Sequence, residues 1–436
     1  MNENFVCKNI GVNEEGHLTF AGQDTVSLAK EYGTPLYLMD EDRIRENMRV
    51  YKKAFAENFP EGSEPLFASK ACSFAQVYRI ALEEGMGIDV VSSGEIYTAM
   101  KAGYPLSNAH FHGNNKTDED IAFAIRNGIG FFVSDNREEL DVIEREAQKA
   151  GIRQKVLLRL TPGIDTHTYE KINTGLVDSK FGTAIETGQA EEIVKYALTK
   201  ENIELKGYHC HVGSQVFAED VFEEAALIMI RFIGHMKDVC GYTAEYLDLG
   251  GGYGVRYVAG DGYINIAEKI RSVAETVAKA SAEAGVSFPK ILMEPGRSIV
   301  ADAGMTLYTA GSVKRIPGYK NYVSIDGGMT DNPRFALYGS KYTCYNAGKM
   351  NEERTLNASL VGRCCESGDI IAEKIDFAQS TCRGDVMAVC TTGAYNYSMA
   401  SNYNRVARPA MVMLKGGESY IAIRRETLDD LVNLDI

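Results

Sequence analysis

A lysine closes an apolar run in PLFASKACS (65–73), where Lys70 stands among Ala68, Ser69, Ala71 and Cys72. Ionised lysine is costly to bury and usually lies at the surface. Either its charge points outward or the site uses its amine. Other residues able to do chemistry follow similar short runs. His209 and His211 lie two apart in HCHVGSQ, so on a strand they share a face. They read as packed or hydrogen-bonded histidines, as half of a metal site with no third ligand evident, or, for His211, as a support for a ring-shaped cofactor. GGGYG (250–254) is either a turn or a loop whose backbone N–H groups can approach a phosphate. Glu294 in EPGR is either a solvated loop carboxylate or the partner of a protonated ring nitrogen. CCESGD (364–369) holds two thiols and two carboxylates in what could be an ordinary turn. A lysine amine, a phosphate-sized glycine loop, a stacking imidazole and a carboxylate for a ring nitrogen together suit pyridoxal phosphate, which bonds to lysine and stores the electrons of a carbanion.

The elements that must hold these residues alternate. Eight short strand-like runs are PLFAS (65–69), GIDVV (87–91), AHFHG (109–113), GFFVS (130–134), KVLLRL (155–160), LKGYHCHV (205–212), EYLDLG (245–250) and KILMEP (290–295). Seven helical patterns separate them, and another, 41–58, precedes the first. Short apolar strands joined by helical crossovers predict parallel pairing in a (β/α)8 TIM-type barrel. A doubly wound sheet is the alternative, but Val255 stands where the last glycine of a dinucleotide fingerprint would fall. In such a barrel the chemistry gathers at the C-terminal strand ends. Six of the eight runs end in polar or glycine-rich punctuation there, including Asp89 with VSSGE, and HGNNK (112–116). After residue 303, runs rich in Val, Ile, Tyr and Thr between glycine-bearing turns predict a mostly antiparallel C-terminal β-domain. The expected division is a barrel over 36–302 and a β-domain over 303–436, joined by 1–35.

Composition narrows the class. The 436 residues are 45% hydrophobic and 24% charged, as in a globular protein. A net charge of −14 argues against a nucleic-acid partner. No apolar run reaches membrane-spanning length, and the N-terminus lacks signal-peptide architecture, so no membrane partner and a cytoplasmic location are expected. The nine cysteines, with no Cys-x-x-Cys pair, read as reduced thiols, and no metal is expected.

The motifs FASKACS, IDVVSSGEIYTAMKAG, HGNNK, SKFG, HCHVGSQ, DLGGGYGV, EPGRS, DGGMTDNPRFALY, CCESGD and GAYNYSMASNYN run in one order from about residue 65 to 410. In that order the chain resembles the barrel-type pyridoxal-phosphate decarboxylases of alanine-racemase-like fold, and is most similar to the branch acting on meso-diaminopimelate. The resemblance implies that Lys70 bonds the cofactor, His211 stacks on its ring and Glu294 holds the ring nitrogen protonated. Ser214, Gly251, Gly252, Gly296 and Arg297 would cradle the phosphate, with Tyr395 reaching it as well. Arg297, Arg334, Tyr338 and Tyr395 would hold the amino-acid substrate, Cys365 would donate a proton, and Glu366 would bind the distal ammonium. Cys364 competes with Cys365 for that role; Cys365 is chosen because it directly precedes Glu-Ser-Gly-Asp. The resemblance also implies a homodimer in which the Cys-Glu pair enters the partner's site, and release of L-lysine and carbon dioxide as the last step of lysine biosynthesis. Decarboxylases of ornithine, arginine or carboxynorspermidine, a barrel-type racemase and a non-catalytic cofactor carrier are the competing readings.

Overall fold

The computed structural model describes residues 5–164, 179–218 and 220–436. They form two compact units. One comprises Asn47–Gly254 and Tyr263–Gly296; the other comprises the residues up to Glu46, Val255–Gly262 and Arg297–Ile436. These limits differ from those read in the sequence, because residues 36–46, 255–262 and 297–302 pack with the second unit.

The first unit is a closed parallel barrel. Its strands are β1 (Glu64–Ala68), β2 (Gly87–Val90), β3 (Ala109–Phe111), β4 (Phe131–Ser134), β5 (Gln154–Thr161), β6 (Ile203–His209), β7 (Tyr246–Asp248) and β8 (Lys290–Met293). Each pairs in parallel with the next, and β8 closes on β1 through Leu292–Glu64 and Met293–Pro65. Strands β2, β3 and β4 are buried along their whole length, so their residues are mostly apolar rather than alternating, with Asp89, His110 and Ser134 the exceptions. The helices between them are amphipathic, and four begin at side-chain caps. Ser92, Thr117, Asn136 and Asn265 each accept from a backbone N–H of the first turn, a contact worth about 1 kcal/mol per cap. Three of these caps follow β2, β3 and β4, so they also fix the turns at the strand ends where the site lies.

The second unit is built on a sheet in the order Ile370–Ala378, Arg354–Val361, Tyr322–Ile325, Gly304–Lys314, Leu36–Asp40, Ala410–Lys415, Glu418–Ile423; Val386–Cys390 and Cys344–Asn346 also belong to it. Two neighbouring pairs are parallel, Tyr322–Ile325 with Arg354–Val361 and Leu36–Asp40 with Ala410–Lys415; the others are antiparallel. The N-terminal hairpin and the helix Thr25–Tyr32 supply Leu18, Phe20 and Leu28 to one core of this unit, beside Leu36, Leu38, Met305, Leu307 and Val412. Among the described residues no helix is long and apolar enough to cross a membrane.

Candidate active site

Lys70 sits in a one-turn 3-10 helix, Ser69–Ala71, directly after β1. The turn is braced by the chain after β8, where Pro295 O accepts from Ala68 N–H at 3.1 Å. Gly296 packs so closely there that a Cβ would stand 2.9 Å from that of Ala68 and 3.0 Å from that of Ala71. Lys70 lies 39% exposed at a barrel cavity of about 390 Å³ that Arg159, His112, His209, His211 and Glu294 also line. Its Nζ is 4.0 Å from Oδ2 of Asp89, at β2. Asp89 is fully buried, and neither of its carboxyl oxygens has a hydrogen-bond partner. Burial raises the Asp89 pKa; the charges of His112 and Lys70 oppose that shift.

Glu294 follows β8 and is buried. Its Oε1 lies 2.8 Å from Nε2 of His112, after β3, and 3.3 Å from Nε2 of His209, at the end of β6. Burial alone would raise its pKa, but the two imidazoles hold it well below the ordinary carboxylate range. Behind it Asp248, at the end of β7, accepts from Gly250 N–H at 2.9 Å, and burial together with the charge of Glu294 drives its carboxyl the other way, well above the ordinary range. Carboxyl pairs whose surroundings push them apart leave one ionised and one protonated. The ionised member is Glu294.

His211 is fixed by the glycine run. Gly251 N–H donates to its Nδ1 at 3.3 Å, so a neutral ring carries its proton on Nε2. Burial, then the charges of Lys70 and Arg159, keep its pKa well below the usual imidazole value. The glycines are required by packing: a Cβ on Gly251 would stand 2.1 Å from Glu294 O, and one on Gly252, at φ +117°, 2.1 Å from Gly213 O. Gly252 O and Val216 N–H pair at 3.0 Å across the loop that carries Ser214. A reactive amine, a neutral imidazole face, an ionised carboxylate and a close-packed glycine turn around one cavity fit an aldehyde cofactor with an aromatic nitrogen ring and a phosphate.

In the second unit the ring of Tyr395 stands between two guanidinium groups, 4.7 Å from that of Arg297 and 5.3 Å from that of Arg334. Arg297 Nη1 donates to Tyr257 OH at 2.6 Å, and Arg334 lies 5.3 Å from the Tyr338 ring. Both arginines are buried. Among the described residues Arg334 makes no ion pair, and its Nε has no hydrogen-bond partner. A buried arginine in that state suits a carboxylate, to which its planar fork binds through two parallel bonds. Cys365 and Glu366 lie on a separate, exposed loop. Cys365 N–H donates to Asn404 Oδ1 at 2.9 Å, and Glu366 Oε1 accepts from Gly368 N–H at 3.1 Å.

A family model described as the pyridoxal binding domain of pyridoxal-dependent decarboxylases matches residues 41–301. The diaminopimelate decarboxylase of Bacillus subtilis is 43% identical over 97% of this chain and 96% of its own length. The chain belongs to the diaminopimelate decarboxylase family of pyridoxal-dependent decarboxylases. The corresponding protein of Staphylococcus aureus is 42% identical over 96% of this chain and 98% of its own. The crystal structure of the diaminopimelate decarboxylase of M. jannaschii in complex with L-lysine superposes with a TM-score of 0.90 at 33% identity, covering 99% of this chain and 98% of that one. The lysine/ornithine decarboxylase of Vibrio vulnificus, solved with putrescine, is more distant, at 25% identity and a TM-score of 0.75 over 89% of this chain and 97% of that one. Pyridoxal phosphate is the cofactor of this family, and the barrel residues fit it.

The fold thus gathers Lys70, His211 and Glu294 about one cavity, puts Gly251, Gly252, Ser214 and Gly296 in the turns beside it, and groups Arg297, Arg334, Tyr338 and Tyr395 in the second unit. The sequence offered no third ligand-type residue beside His209. The structure supplies two, His112 and Glu294, whose donor atoms meet one another at hydrogen-bonding distances. The sequence reading also missed Arg159 and Asp248. Each was signalled as a charge inside an apolar run, KVLLRL and EYLDLG. Arg159 lies 4.3 Å from the ring of Phe181, in SKFG. Of the stretch TPGIDTHTYEKINTG (161–175) that follows β5, residues 165–175 lie outside the described residues.

Proposed function

We propose that this protein decarboxylates meso-2,6-diaminopimelate to L-lysine and carbon dioxide with pyridoxal phosphate, the last step of lysine biosynthesis. The observation that carries the reading is full-length similarity at 43% identity to a diaminopimelate decarboxylase, in a chain whose cavity is lined by Lys70 and an ionised Glu294. When bound, pyridoxal phosphate supplies an electron sink for the carbanion left by departing carbon dioxide. In this reading Lys70 Nζ is the point of attachment. Glu294, kept ionised by His112 and His209, holds a proton at the ring nitrogen and so maintains the sink. The neutral face of His211 stacks on the ring without repelling its positive charge. Ser214, Gly251, Gly252, Gly296, Arg297 and Tyr395 hold the phosphate. Arg334 takes the carboxylate at the non-reacting end of the substrate, with Arg297, Tyr338 and Tyr395 beside it, and Glu366 takes the distal ammonium. Cys365 delivers a proton from Sγ to the α-carbon. The reading includes a homodimer in which Cys365 and Glu366 serve the partner's site, and a cytoplasmic setting in which the nine thiols stay reduced.

The test is carbon dioxide release by the purified protein with pyridoxal phosphate from meso-diaminopimelate, L-lysine, L-ornithine, L-arginine and carboxynorspermidine. Release from meso-diaminopimelate alone is expected. Turnover of L-ornithine at a comparable rate would remove Arg334 as the reader of a distal carboxylate.

A further inference from the structure

Asp369 closes CCESGD and is 3% exposed. Its two carboxylate oxygens take two backbone donors from different segments. Oδ1 accepts from Met329 N–H at 2.6 Å and Oδ2 from Cys364 N–H at 2.7 Å. Two glycines make room for it: a Cβ on Gly328 would stand 2.6 Å from both oxygens, and one on Gly362 would stand 2.2 Å from Oδ2. The backbone around it is closed, with Gly362 N–H donating to Asp369 O at 2.9 Å and Asp369 N–H to Glu366 O at 3.1 Å. Cys364 is thereby drawn in against the carboxylate and is half-buried, whereas Cys365, whose N–H is held by Asn404, is exposed. Burial, and then the charge of Asp369, push the Cys364 thiol up to about 11.

We propose that Asp369 is the positioning residue of this loop: by tying Cys364 to the Gly328–Met329 turn it retires one of two adjacent thiols and presents Cys365, with Glu366, to the reaction. This rests on the roles given to Cys365 and Glu366 above. A carboxylate suits the task because it has acceptors on both sides, whereas an amide has one oxygen to accept with and an NH₂ that can only donate. Glutamate cannot substitute, since the two glycine contacts leave no space for another methylene.

The test is alkylation of the full-length holoenzyme by iodoacetamide at pH 8, with each cysteine followed by peptide mass spectrometry. In the wild type Cys365 should react at least about tenfold faster than Cys364, since reactivity follows exposure and thiolate fraction. Equal rates would overturn the proposal without any variant having to fold. In Asp369→Asn the Cys364 rate should rise about tenfold, and kcat for meso-diaminopimelate should fall about 10–100-fold, as a misplaced reacting group loses its geometry. Asp369→Glu should not rescue it. Continued protection of Cys364 in Asp369→Asn, with kcat unchanged, would overturn the assignment. Cys364→Ser should keep kcat within about twofold, since the backbone N–H that Asp369 holds is still present. If Cys365→Ser also keeps it while the alkylation pattern stands, the donor reading fails and the hold of Asp369 on the loop survives.

Discussion

Glu294 shows how a buried carboxylate stays charged: two imidazoles converge on one of its oxygens, 2.8 and 3.3 Å away. Glu294→Gln keeps the shape and loses the charge. Its kcat should fall about 10²–10³-fold with little change in KM, the range for removing one preorganised electrostatic group, as read from initial rates of carbon dioxide release. Arg334→Ala should act on the other parameter. Losing a charge-assisted carboxylate contact of about 1.5–3 kcal/mol should raise KM about 10–150-fold, and lysine should not restore it because it lacks the planar fork. Asp331 carries a pH signature. Burial raises its carboxyl to about 6, against hydrogen bonds from Tyr308, Gly328 and Thr330, while the charge of Asp369 adds to the rise. A folded-state pKa above the unfolded value means the native state binds more protons between the two. Stability should therefore fall as pH rises from about 4 to about 6 and level off above. Asp331→Asn should lack that slope in denaturation midpoints measured across the range.

At the scale of elements, the turn after β7 has no freedom at Gly251, because a Cβ there would stand 2.1 Å from the carbonyl of Glu294. Gly251→Ala should displace the end of β8, lower the melting temperature and release the cofactor, followed by its absorbance after gel filtration. Gly260→Ala meets nothing within 4 Å and is the control. Much of this architecture was legible in the sequence. The eight barrel strands stood out because they are short apolar runs separated by helical patterns, six of them closed by polar or glycine residues at the end where chemistry gathers. LYLMD (36–40) was hidden for the same reason: a fully buried strand of the β sheet carries the same apolar run as a barrel strand, and only its pairing with Gly304–Lys314 and Ala410–Lys415 tells them apart. Lys70, His211 and Glu294 were legible because their residue types are odd for their positions. The support around Glu294 was not, since Asp248 and His112 gain meaning only when β7 and β3 bring them into the barrel.

For the whole molecule, the proposed homodimer makes a prediction that no single subunit can meet. If Lys70 serves one site and Cys365 the partner's, Lys70→Ala and Cys365→Ala dimers are each inactive, yet exchanging their subunits should restore about a quarter of wild-type activity, since half the dimers are mixed and each holds one intact site. Absence of recovery, with exchange verified by differently tagged subunits, would place both residues in one subunit's site. The central position of Leu36–Asp40 in its sheet has another consequence, for the order of events during synthesis. This strand leaves the ribosome before any barrel strand, but its two neighbours are Gly304–Lys314 and Ala410–Lys415. At ordinary elongation rates it waits on the order of tens of seconds, with at least one edge open, until the last of them is made. Four apolar residues in a row, Leu36 to Met39, with an unsatisfied edge are a natural handle for a chaperone, and the nascent chain should hold one longest here, at its own beginning.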